Sequence, residues 1–230
     1  MNQALQTKAP LADSDWQALD TVLLDLDGTL LDLDFDNHFW QVLVPRVWGE
    51  ARGLPLEAAQ AELVPRFRAR EGTLEWYSTQ FWSRELGLDI PALKRQDADR
   101  VRWLPGAQAF LAEVRRRGKR LVLLTDSHPE AIEVKDSRTG FVALFDRVYS
   151  SHGFGAPKMH PGCWQALARS LDYQPARALF VDDTARVLVA AQAAGIGILR
   201  AIRRPDSRGV TRGHEEFIAV DSIGELIGAQ

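Results

Sequence analysis

Four runs of strand-like apolar residues each stop on a short polar motif, and this recurrence constrains the fold more than any other feature of the chain. Thr21-Val22-Leu23-Leu24 runs into Asp25-Leu26-Asp27-Gly28-Thr29, and Leu121-Val122-Leu123-Leu124 into Thr125-Asp126-Ser127. Gly155-Ala156-Pro157 precedes Lys158, and Ala178-Leu179-Phe180-Val181 runs into Asp182-Asp183-Thr184. From residue 105 onward such runs alternate with helical periodicity. Helices are expected over Ala107-Arg117, from Pro129 to about Arg138, from Pro161 to about Leu171 and over Ala185-Ala194. Strands are expected over Lys119-Thr125, Arg147-Ser151, Ala178-Val181 and Ile196-Ile202. Alternation of this kind builds right-handed βαβ units and a parallel sheet covered on both faces, a doubly wound α/β core.

Residues 33–104 break the pattern. They read as helices over Phe39-Trp48, Leu56-Arg70, Leu74-Leu86 and Ile90-Val101, parted by Gly53, Gly72 and Gly87. A block this long cannot be an ordinary βα loop of about 2–6 residues, so it is expected to form a cap over the site. Its rings (Phe39, Trp40, Trp48, Phe67, Trp76, Tyr77, Phe81, Trp82) suit a stacking surface for a base, but their helical spacing favours core building. Arg66, Arg68 and Arg70 read as a solvated face, and Asp32, Asp34 and Asp36 as hinge and surface residues. The tail from Arg203 to Glu215 reads as a loop, and Ser222-Ile227 as a short final helix.

Composition narrows the function. A net charge of -3 argues against a nucleic-acid polymer as partner, and Cys163 is the only cysteine, which excludes an internal disulfide. Residues 1–20 carry Lys8, Asp13, Asp15 and Asp20 and do not read as a signal peptide, and no stretch has the roughly 18 apolar residues of a membrane helix. The expectation is a cytoplasmic protein with no membrane partner.

The motifs then supply a chemistry. In open parallel sheets ligands bind beyond the carboxyl ends of the strands, where all four motifs lie. Asp25 can attack phosphorus as a carboxylate nucleophile, and Asp27 is placed to protonate the leaving oxygen and later to deprotonate water. A phosphate dianion would repel Asp25, so a hard cation is required. Asp182 and Asp183 offer it oxygen ligands, and Mg²⁺ suits them by availability and geometry. Lys158 and the Thr125 hydroxyl can balance the phosphoryl charge, and Gly28 allows a sharp turn beside the substrate.

In this order across the chain, the motifs resemble those of the haloacid dehalogenase superfamily. The resemblance implies a Rossmann-like core with a parallel five-stranded sheet, formed by residues 1–32 and 105–230, and an α-helical cap over 33–104. It implies Asp25 as nucleophile, Asp27 as acid/base, Thr125 as phosphate-binding hydroxyl, Lys158 as the lysine and Asp183 as the metal acid. The metal would also take the backbone carbonyl of Asp27, with Asp182 helping directly or through water. The substrate-binding set is Asp25, Asp27, Gly28, Thr125, Asp126 and Lys158. The second motif departs from the usual Asn at Asp126, where a carboxylate opposes phosphate unless paired or turned away. Leu30-Leu31-Asp32-Leu33, Phe35-Asp36-Asn37, Phe39-Trp40-Gln41, Trp76-Tyr77, Ser127-His128-Pro129 and Phe154-Gly155 resemble the bacterial GMP/IMP 5'-nucleotidases. Dehalogenation has no use for an acid at Asp27, so the expected activity is Mg²⁺-dependent hydrolysis of a small phosphomonoester, a purine monophosphate first. A sugar-phosphate phosphatase or a phosphomutase on the same scaffold is the alternative.

Overall fold

The structure, a computed structural model, describes residues 10–227, so the reading of residues 1–9 lies outside it. Helix α1 (Asp13–Ala18) leads into β1 (Thr21–Leu24). Beyond the helical insert come α8 (Ala107–Arg116), β2 (Arg120–Thr125), α9 (Pro129–Thr139), β3 (Arg147–Ser150), α10 (Pro161–Ser170), β4 (Ala178–Asp182), α11 (Ala185–Ala193), β5 (Ile198–Ile202) and β6 (Ala219–Val220). All pairings are parallel, in the order β3-β2-β1-β4-β5-β6. The strands have an uninterrupted apolar character because both faces are covered, and the two-residue alternation of a strand decides which face each side chain serves. Val22, Leu24, Leu121, Leu123, Leu179 and Val181 pack with Trp16 of α1, Phe110 and Val114 of α8 and Ile132 of α9. Leu23, Val122, Leu124 and Phe180 turn the other way, onto Cys163, Trp164 and Leu167 of α10 and Val187, Leu188 and Ala191 of α11.

The sheet has six strands, not the expected five. The sixth, β6, is two residues long and adds to β5 through Ala201↔Ala219 and Ile202↔Val220. Two residues carry no periodicity to read, and pairing with a neighbour alone makes them a strand.

Residues 34–100 form a helical module with its own apolar centre: Phe39, Val44, Trp48, Leu63, Phe67, Trp82, Leu86 and Ile90 are buried together. Its helices are α2 (Asp34–His38), α3 (Val44–Glu50), α4 (Leu56–Arg68), α5 (Leu74–Tyr77), α6 (Thr79–Leu86) and α7 (Ile90–Gln96). Two expected helices are divided. Pro45 has no N–H for the carbonyl four residues back, and the turn before it widens into a π segment, Phe39–Leu43, with the Val44 N–H on the Phe39 carbonyl. The run over 74–86 breaks at Ser78, which is extended (ψ 112°) and whose Oγ accepts the Phe81 N–H at 3.1 Å. The expected helix over 90–101 stops at Gln96 and continues as a 3₁₀ turn, Ala98–Arg100. The chain enters and leaves the module side by side: Asp32 N–H donates to Arg102 O at 2.9 Å and Leu104 N–H to Leu30 O at 2.8 Å.

The C-terminal 3₁₀ turn, Ile223–Ile227, closes against the start of α8. Gly106 there has φ +75°, and a Cβ on it would lie 2.6 Å from Gly224 Cα. Gly118 shares the positive φ (+66°) but faces open space. Gly118→Ala is therefore expected to cost about 1 kcal/mol and Gly106→Ala about 2–4 kcal/mol, read from denaturant midpoints.

Candidate active site

Strand β1 lies between β2 and β4, where the order of the chain through the sheet reverses, so its carboxyl end opens onto the crevice of a doubly wound fold. Asp25 stands one residue beyond β1, its N–H extending the ladder to Val181 O at 3.1 Å. Asp182 is the last residue of β4, and Thr125 the last of β2. Lys158 comes from the loop after β3, fixed by its backbone: its N–H donates to Asp126 Oδ1 at 2.9 Å and its carbonyl accepts Trp164 Nε1 at 2.7 Å. Asp126 is thus paired with main chain rather than left facing an incoming anion. The Lys158 ammonium bonds both Asp25 Oδ1 and Asp182 Oδ2, the latter at 2.7 Å. The Thr125 hydroxyl accepts Ser127 N–H at 3.0 Å, leaving its proton to donate.

Asp25, Asp182 and Asp183 each bring one carboxylate oxygen within 4.8 Å of the others, and all three are buried. Three buried carboxylates face two cations, Lys158 and Arg212. Arg212 reaches Asp183 Oδ2 with its guanidinium from the segment after β5. Burial pushes Asp25 up, against the pull of Lys158. Burial likewise raises Asp182 to about 6, with Lys158 opposing, and Asp183 to about 6, with Arg212 opposing. Lys158 loses to burial but gains more from Asp182 and Asp25, so its pKa rises and it stays charged. A buried all-oxygen donor set with excess negative charge fits a hard divalent cation. Gly28, at φ +82°, closes over this cluster, and a Cβ on it would meet Asp183 Oδ2 at 2.8 Å. Only glycine is compatible with that approach.

Asp27 lies beside this group in a different setting. Its Oδ2 accepts Ser127 Oγ–H at 2.7 Å and its Oδ1 meets Lys135 Nζ at 2.7 Å. Lys135 also bonds Asp36 Oδ2 at 2.7 Å, and Asp36 Oδ1 accepts Lys94 Nζ at 2.7 Å. Burial would raise Asp36, yet Lys135 and Lys94 outweigh it and hold the carboxyl well below the usual range. Asp36 is therefore a half-buried partner of two lysines and not the surface residue that its sequence context suggested. Its partners lie 58 and 99 positions away and were invisible to local reading.

Asp32 and Asp34 do keep to the hinge: Asp32 Oδ1 accepts the N–H groups of Asp34 and Ser207, both at 3.0 Å, and Asp34 pairs with Arg100 at 3.3 Å. Lys135 and Arg212 were missed altogether. For Lys135 a signal existed, since it falls on the buried stripe Ala131-Ile132-Val134 of α9, where a lysine needs a reason. Arg212, in a polar loop, offered none. Most of the module's rings build its core, as their spacing indicated. Tyr77 is set apart: burial and then Asp126 push its phenol up, with Lys158, Asp25 and Asp182 also acting on it, so α5 brings this ring close to the charged cluster. Arg66 pairs with Glu62 on an exposed face, and Arg70 lies over Phe81. His160 accepts Gly162 N–H at 3.1 Å as a helix-start residue, and Cys163 is buried filler.

Known proteins resemble this chain in sequence and in fold. The chain is 38% identical over 212 residues to the GMP/IMP nucleotidase YrfG of Escherichia coli (strain K12), a match covering 92% of this chain and 96% of that protein. It is 29% identical over 226 residues to Protein CbbY of Cereibacter sphaeroides, covering 91% and 95% of the two. The fold is similar to the crystal structure of a HAD phosphatase from Thermococcus onnurineus, with a TM-score of 0.73 at 21% identity over 90% of this chain and 94% of that one. A family model for haloacid dehalogenase-like hydrolase matches residues 19–195, from the start of β1 past the acid pair of β4. The order of strands, the motifs gathered at the sheet's carboxyl edge and this match agree: the chain belongs to the haloacid dehalogenase-like hydrolases.

Proposed function

We propose that this hydrolase is a magnesium-dependent phosphomonoesterase working through an aspartyl-phosphate on Asp25, with purine nucleoside 5'-monophosphates such as GMP and IMP as first substrates. The observation that carries the reading is the convergence of Asp25, Asp182 and Asp183 on one buried point, with Lys158 bonded to two of them. The likeness to the GMP/IMP nucleotidase of Escherichia coli supports the substrate class.

Asp25 attacks phosphorus, forming an acyl-phosphate bond as the bond to the leaving oxygen breaks, and Asp27 gives that oxygen its proton. Water then attacks the same phosphorus, Asp27 takes its proton, and the bond to Asp25 breaks to release inorganic phosphate. Lys158 offsets charge between Asp25 and the phosphoryl oxygens, and Thr125 donates its hydroxyl proton to one of them. Asp25 and Asp183, with the Asp27 carbonyl, would hold Mg²⁺, and Asp182, whose oxygens already serve Lys158 and Thr184 N–H, supports the site. The ion, when bound, neutralises phosphate charge and polarises the phosphoryl group. Asp126, paired to the Lys158 backbone, orders the loop that presents the ammonium. Hydrolysis of a free metabolite agrees with a cytoplasmic setting.

Phosphate release measured over a panel of phosphomonoesters, with and without Mg²⁺, is expected to favour nucleoside monophosphates and to need the ion. Asp25→Asn should bring release to background. Sugar phosphates turned over far better than nucleotides would transfer the reading to a sugar-phosphate phosphatase.

The acid cluster also sets a pH dependence. Asp182 and Asp183, raised from the usual 3.8 to about 6, bind protons in the folded state that the unfolded chain has released. Without metal, their contribution to stability is lost as pH rises from about 4 through about 6. Mg²⁺ needs the ionised carboxylates, so the rise in melting temperature it brings should be small near about pH 5 and large near about pH 7.5. Equal shifts at both pH values in chelator-controlled melts would contradict metal binding at this cluster.

A further inference from the structure

A buried ammonium is costly unless it is fully paired, and Lys135, in the middle of α9, is 1% exposed. The two chemical steps above make no direct use of it. Its three N–H donors nonetheless find three acceptors: Asp27 Oδ1 at 2.7 Å, Asp36 Oδ2 at 2.7 Å and Ser127 Oγ at 3.2 Å. Ser127 in turn donates to Asp27 Oδ2 at 2.7 Å. Both oxygens of Asp27 are therefore held, one by Lys135 and the other by a hydroxyl that Lys135 also holds. The three side chains close a ring that restricts the carboxylate to one orientation.

The other end of this chain of charges lies in the helical module. Asp36 belongs to α2, and its second oxygen takes Lys94 of α7 at 2.7 Å. Lys94 is 2% exposed, with its ammonium 4.3 Å from the Phe39 ring centroid and 4.7 Å from that of Phe35. Charge thus alternates from the loop after β1, through α9, across to the hinge helix and into the module's interior. Buried ion pairs are weak devices for stability, since apolar replacements of equal volume are often as good. Placing four of these charges in a row ending on Asp27 calls for a role beyond packing.

We propose that Lys135 is a positioning residue for Asp27, and that Asp36 ties this positioning to the seating of the helical module on the core. The inference rests on the phosphatase reading, in which Asp27 protonates the leaving oxygen. A proton donor must be held within hydrogen-bond reach of that oxygen, and small misplacements lower the rate steeply. With α2 seated, Asp36 pins the far side of Lys135. With α2 displaced, Lys135 keeps one carboxylate and one hydroxyl, and Asp27 loses its fixed orientation. Proton delivery is then coupled to a covered site.

Leaving-group dependence tests this, because an ester with a good aryl leaving group needs little help from a general acid. The comparison is kcat/KM, which reports the steps through departure of the leaving group, for full-length wild type, Lys135→Met and Asp36→Asn. The two substrates are 4-nitrophenyl phosphate and the alkyl phosphomonoester that wild type turns over fastest. Lys135→Met is expected to lose about 100-fold on the alkyl ester and less than about 10-fold on the aryl ester. Because Lys135→Met strands two carboxylates, Asp36→Asn, which leaves Asp27 and Lys135 in place, serves as the second variant. It should show the same asymmetry at about 5- to 10-fold on the alkyl ester, with a cooperative melt. Equal losses on both esters, or no loss on either, in variants that melt cooperatively overturn the proposal and leave the phosphatase reading intact. Wild type that releases phosphate from neither ester overturns both.

Discussion

Everything at the site depends on one ammonium ion. Lys158 sits among Asp25, Asp182 and the Asp126-bound backbone at the point where the sheet reverses, and it makes a cluster of buried carboxylates tolerable. Removing those groups from water raises their pKa values, and the lysine charge opposes that rise. The compensation is incomplete, since Asp183, met by Arg212 and by the Thr184 hydroxyl, still has its pKa raised. The residual negative charge makes the cluster a fitting donor set for a hard cation.

The second acid of the opening motif lives under different physics. Asp25 is confined by the sheet, one residue past a strand bonded on both sides. Asp27 lies immediately before a tight turn in which Gly28 N–H bonds Leu31 O at 2.7 Å, and its carboxylate is directed by side chains from α9 and the loop after β2. Two acids two residues apart are therefore held by different means: one by backbone pairing, the other by a closed ring of polar side chains. That division suits a pair of acids with separate roles.

The helical module is attached through both polar contacts and apolar packing. Most of its buried residues form a cluster of their own, while Phe35 of α2 and Ala98 pack into the core of the sheet. The hinge is braced by the segment after β5, where Leu33 N–H donates to Pro205 O at 3.0 Å and Asn37 Nδ2 to Asp206 at 2.6 Å. Hydrogen bonds and ion pairs of this kind reform more readily in alternative arrangements than packed side chains do.

The sequence by itself determined the parallel doubly wound core, because strands buried on both faces must be continuously apolar and helices between them must follow a 3.6-residue period. It also determined which polar residues meet at the sheet's carboxyl edge, since strand ends converge there whatever the loops do. Asp25, Thr125, Asp182 and Asp183 were legible for that reason, while Lys158, on the loop after β3, was legible through its motif. Tertiary structure alone decided what depends on distant partners: the pairing that turns Asp126 from an obstacle into an anchor, and the line from Asp27 through Lys135 and Asp36 to Lys94. It also decided the reach of Arg212 to Asp183 and the two-residue strand β6. Local periodicity reports how a segment meets its own core. It carries no information on which buried charge, dozens of residues away, will supply the counter-ion.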